Sequence, residues 1–116
     1  MAFTNATKEA AALAVSGLGN YISLHTADPG TTGASEASGG APAYARKQTT
    51  WAGGTADGAV VGSAVTFDVP AGTYTHIGVW SAATAGTFVG GFALSSSTGA
   101  LPGQASVAVT PTITVS

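Results

Sequence analysis

A chain of 116 residues fits one domain, expected over residues 1–116. Only 7% of the residues are charged and the formal net charge is −2, so the basic residues Lys8, Arg46 and Lys47 are too few to neutralise a nucleic-acid backbone or to hold an anionic membrane surface. No cysteine is present, which excludes disulfides and thiolate metal sites.

Much of the 45% hydrophobic content is alanine. Leu, Ile, Val and Phe make up about a fifth of the chain, near the level at which disorder becomes a concern. Low net charge and periodic strand patterns argue for a folded chain with a thin core. A surface this poor in charge is unusual for a free monomer, so copies of the chain or other partners are expected to cover much of it.

Residues 5–16 read as a helix within an N-terminal segment, 1–19. Thr4 or Asn5 supplies the cap by accepting a first-turn amide. Alanine dominates the interior, and Ala6, Ala10, Leu13 and Ala14 line one face. Gly17 and Gly19 end it with a left-handed position. The apolar run 10–15 (AAALAV) is short and follows Glu9, so no signal peptide is expected. It is also far below the roughly 20 residues that span a bilayer.

Tyr21, Ile22 and Leu24 mark a strand that stops at Asp28-Pro29-Gly30. Residues 27–43 form a long loop of small residues, a length that points to function or an interface. Residues 44–51 (YARKQTTW) resume a strand, and 52–58 turn. Val65, Phe67 and Val69 alternate with Thr66 and Asp68. Pro70-Ala71-Gly72 turns the chain into a strand over 73–82. That strand sets Tyr74, His76, Gly78 and Trp80 on one face and Thr75, Ile77, Val79 and Ser81 on the other. Another strand covers 87–94, where Gly90-Gly91 signals a bulge or a close backbone approach. Residues 104–116 alternate again. The fold class is mainly β: an antiparallel β-sandwich or Greek-key barrel with a short N-terminal α-helix.

The sequence offers little for catalysis, and no catalytic residue is assigned. His25 and His76 are the only imidazoles, and no nucleophile elbow occurs. Asp28 and Asp57 sit where turn chemistry wants them. Asp28 and Glu36 lack a calcium-loop pattern, and GGTADG has no lysine to make a phosphate loop. No metal or cofactor is expected. Glu36 and Arg46 instead suggest a bidentate pair that staples the loop to the sheet. Trp51, Tyr74 and Trp80 are candidate glycan or interface aromatics, against the plainer reading that they build the core.

The ordered motifs MAFTNATK, YISLHTADPG, Glu36 with Gly39-Gly40, Tyr44-Ala45-Arg46, AVTFDVPAG, THIGVWSA and GTFVGGFAL resemble a known family. It comprises small tail-fibre-like virion proteins of tailed bacteriophages, especially phages of actinobacteria. The similarity covers roughly residues 1–95, with Ala41-Pro42-Ala43 as a departure where a shorter link is the pattern. The resemblance implies a non-enzymatic virion structural protein with a sandwich-like fold, assembled in the host cytoplasm. It marks His25, Asp28, Pro29, Gly30, Glu36, Tyr44 and Arg46 as pattern residues, read here as a loop brace. Expected partners are other virion proteins and the chain itself, as a homo-oligomer guessed to be a trimer. Capsid decoration and a carbohydrate-binding module for host-surface glycan are the alternatives.

Overall fold

The computed structural model describes residues 2–115; the first and last residues of the expected domain lie outside them. Helix α1 spans Asn5–Ser16. Thr4 caps it: its side-chain oxygen accepts the Thr7 amide at 3.2 Å. Two expectations for the helix fail. Gly17 closes it in the right-handed conformation, φ −72°, because its amide simply continues the ladder to the Leu13 carbonyl. The buried stripe is Glu9 and Ala12 with Val15 beside it, while Leu13 is 45% exposed. An alanine-rich helix has little amphipathic contrast, so packing on the sheet chooses the face.

Nine strands follow among the described residues. They are β1 Tyr21–His25, β2 Lys47–Gln48, β3 Trp51–Ala52, β4 Ala59–Gly62, β5 Val65–Val69, β6 His76–Trp80, β7 Phe88–Ala93, β8 Ala105–Val109 and β9 Thr112–Thr114. All pairings are antiparallel. The order β2-β1-β6-β7 makes one sheet, β3-β4-β9 a second and β5-β8 a third. The fold is mainly β with one N-terminal helix, consistent with a β-sandwich.

Several sequence boundaries move. The strand expected over 44–51 is two short ones in different sheets. Thr49 lies buried at the crossing, and its hydroxyl donates to the Ser63 carbonyl at 2.8 Å. Strand β4 is an addition, hidden in the sequence by the glycines around it. The expected strand 73–82 shortens to β6, and Tyr74 turns into the core. The expected strand 104–116 divides into β8 and β9, because Thr110 and Pro111 break the ladder. Of the two central glycines of β7, Gly91 is the one in close approach. A Cβ there would meet the Ile77 carbonyl and Pro29 Cγ, both at 2.6 Å.

The main core joins the four-stranded sheet to the β5–β8 ribbon. Ile22, Leu24, Ile77 and Val79 pack with Val65, Phe67, Val69, Tyr74 and Val109. A smaller cluster of Ala12, Val60 and Ile113 seats the helix on the second sheet. Trp51 touches both clusters. The pleat gives the four-stranded sheet a second face, opposite the core. Cross-strand register places Ser23 beside Gly78 and His25 beside His76 there, with Gly91 beyond Gly78.

Candidate functional site

The second face is where the loop between β1 and β2 lies. Its chain enters at an Asx corner, where Asp28 Oδ1 accepts the Gly30 amide at 2.9 Å. Gly30 takes φ 60°, a left-handed value that favours glycine. Pro29 is buried against the sheet. Further on, the loop runs back along β1. The Thr26 amide donates to the Ser35 carbonyl at 3.0 Å, and the Ala37 amide to the Leu24 carbonyl at 2.8 Å. His25 and Glu36 thereby become bridge partners. At its far end the loop meets Gln104. The Ala41 amide donates to Gln104 Oε1 at 3.1 Å, and Gln104 Nε2 donates to the Pro42 carbonyl at 3.0 Å.

The Glu36 carboxylate is the hub. Arg46 Nε donates to Oε2 at 2.9 Å and Arg46 Nη2 to Oε1 at 3.0 Å, a bidentate fork. The Tyr44 hydroxyl donates to Oε2 at 2.9 Å while accepting the Leu24 amide at 3.0 Å. Arg46 Nη1 donates to the Ala82 and Ala85 carbonyls of the β6–β7 turn, at 3.1 and 2.8 Å. Ala85 sits at φ 52°, a costly value for a residue with a Cβ, and this bond helps hold it there. The guanidinium also lies 3.6 Å over the Trp80 ring. One arginine thus ties the loop, the sheet and a distant turn together.

Below it runs a second chain of polar contacts. Trp80 Nε1 donates to Ser23 Oγ at 2.9 Å. Ser23 Oγ lies 2.6 Å from His25 Nε2, and His25 Nδ1 lies 2.7 Å from the Ala34 carbonyl. A carbonyl only accepts, so Nδ1 carries the proton and the Ser23 hydroxyl donates to Nε2. Every group in this chain is satisfied with a neutral ring. Phe88 closes one side, edge-on to Trp80 and to His25.

Charge follows from these surroundings. Burial is the largest influence on His25 and lowers its pKa. The Ala34 carbonyl and the Glu36 charge oppose that, while Arg46 and His76 add to it. Burial pushes Glu36 up, but the Arg46 and Tyr44 hydrogen bonds with the Arg46 charge hold it below its ordinary value. Burial raises the Tyr44 phenol far above its usual range, so it stays a donor.

A lowered histidine pKa means the unfolded chain binds the extra proton first. Stability from His25 is complete above the ordinary value of 6.5 and is lost as pH falls through the lower folded value. Thermal melts from neutral pH to the lower fives should show this loss, limited to about 1.4 kcal/mol per pH unit for one group. The variant His25→Gln should flatten that slope. An equal slope in the variant would assign the loss to other groups.

The structure therefore brings His25, Glu36, Tyr44 and Arg46 together, with Pro29 beneath the same loop. Asp28 and Gly30 only shape the corner. The aromatics read as glycan or interface candidates are used in packing. Tyr74 is 2% exposed and its hydroxyl donates to the Pro70 carbonyl at 2.9 Å. Trp51 donates to the Gly19 carbonyl at 2.8 Å between the two cores, and Trp80 lies under Arg46. Sequence reasoning missed Ser23, Gly78, Gln104 and Gly33, where a Cβ would run into the Trp80 ring. Ser23 shares a strand face with His25 and Gly78 one with Trp80, and the small side of each alternating pair was the available signal.

A mainly β scaffold with an internally braced loop is the class that fold and site define. Residues 2–116 match the family described as podophage GP4 fiber I protein gp80, and the chain belongs to that family of phage fibre proteins. No curated protein and no solved structure matches it.

Proposed function

We propose that this chain is a non-enzymatic structural component of a phage virion, associated with the tail fibre, that acts by assembling with its own copies and with other virion proteins. The family match across residues 2–116 carries the reading. The site supports it. His25 and Glu36, the groups best suited to acid–base work, have their polar atoms engaged by neighbouring protein groups. Such a cluster fixes a loop and leaves little to meet a substrate.

Quantitative mass spectrometry of purified virions, against the major capsid protein, tests the proposal. A small fixed copy number per particle is the expected result. A ratio near that of the capsid protein would replace the tail reading with head decoration. Absence from the particle would overturn both.

A further inference from the structure

Strand β7 ends the four-stranded sheet, and among the described residues its outer edge pairs with no other strand. It is the longest strand of the fold, six residues, and no residue in it is fully buried. Its sequence FVGGFA contains no charge and no proline. Natural sheet edges usually carry such guards, because open N–H and C=O groups accept any passing strand. Here the one guard is a bulge: Val79 pairs with Gly90 and Trp80 with Phe88, leaving Val89 unpaired.

A groove runs beside this edge. It comprises adjoining cavities of about 330 and 660 Å³ that share Phe92, Thr112 and Thr114. Strands β8 and β9 form the opposite wall, and no residue lining either cavity is charged. The Leu94 amide donates inward, to the Thr75 carbonyl at 2.8 Å. Antiparallel alternation then turns the backbone groups of Phe92 and Gly90 inward too, and leaves the amides and carbonyls of Gly91 and Ala93 directed away from β6, at the open edge.

We propose that this edge is a contact between two copies of the chain, with β7 of the second copy added antiparallel in a register centred on Gly91. That register sets Phe92 of each copy opposite Gly90 of the other, and Ala93 opposite Val89. Nothing lies within 4 Å of the position a Gly90 Cβ would take, so the space for the facing ring is open. An aromatic opposite a glycine restores the cross-strand packing that the glycine lacks. A charged partner would find no counter-charge in the groove, whereas the chain's own uncharged strand matches it. The contact is isologous and closes at two copies, so the unit it builds is a dimer, in contrast to the trimer guessed from the sequence. It does not depend on where in the virion the protein resides.

Light scattering after size exclusion of the isolated full chain reads the outcome. The expected mass is twice the 11.1 kDa of one chain. Ala93→Pro removes an outward amide and spares the bonds to β6, so it should raise the dimer dissociation constant about tenfold or more. Ala93→Val keeps the amide and should remain dimeric. A monomeric or trimeric wild type, or an Ala93→Pro dimer as tight as wild type, overturns the proposal. Should Ala93→Pro fail to fold, amide exchange of the wild type decides: Gly91 and Ala93 amides slow at high concentration and fast on dilution support it. Exchange independent of concentration overturns it.

Discussion

Arg46→Ala should destabilise the protein by about 3 kcal/mol, the low end of the cost of breaking a shielded ion pair. At roughly 4 °C per kcal/mol for a domain of this size, the melting temperature should fall by about 12 °C. The side chain of Arg46 is 10% exposed and that of Glu36 is 22%, so the pair lies well inside the regime where a lost partner is costly. Alanine at 46 leaves the Glu36 carboxylate facing only the Tyr44 hydroxyl. It also frees the Ala82 and Ala85 carbonyls and uncovers the Trp80 ring. Glu36→Gln should cost less, about 1–2 kcal/mol, since an amide still accepts from Tyr44 and Arg46 keeps its turn contacts. The double variant should lose less than the sum, by at least about 1 kcal/mol, as for residues sharing one network. Strict additivity would show that the pair does not act as a unit. The depressed Glu36 pKa adds a pH signature. The pair's contribution is complete above the ordinary carboxylate range and disappears as pH falls through the lower folded value.

The parts of this molecule that were legible in its sequence are those set by local chemistry. Thr4 capping, the VTFDV alternation, the Asp28-Pro29-Gly30 corner and the pairing chemistry of a lone arginine with a loop acid all act over short range. What stayed hidden depends on register. His25 and Trp80 meet through Ser23 only because β1 and β6 pair Ser23 with Gly78. Nothing in either strand alone specifies that offset. The helix face was misread for a related reason. With alanine at five of the twelve helix positions, the choice between the Leu13 side and the Ala12 side rests on the shape of the sheet below, and Gly53 and Gly54 pass close to Glu9. Gln104 grips the loop from more than sixty residues away, a contact no spacing rule reaches.

Gly78→Ala should be strongly destabilising, although it adds only one methyl group to the sheet. Its backbone angles are ordinary, so the argument is space alone. The added Cβ would lie 2.6 Å from Ser23 Oγ, 2.8 Å from His25 Nε2 and 2.8 Å from Phe88 Cε1. The backbone of a central strand cannot retreat, so Ser23 or His25 must move. Either movement breaks the relay from Trp80 to Ala34 and leaves buried polar atoms without partners. Overpacking and one or two unsatisfied groups together cost about 3–5 kcal/mol, a loss of roughly 12–20 °C in melting temperature. Gly103→Ala is the control. No atom lies within 4 Å of its Cβ position, and it should change stability by less than about 0.5 kcal/mol. Ser23→Ala removes the closest clashing atom and the same hydrogen-bond node. Adding it to Gly78→Ala should therefore cost little beyond either single change. If the two losses add in full, the alanine at 78 acts elsewhere, and the Ser23–His25 relay is not what the glycine protects.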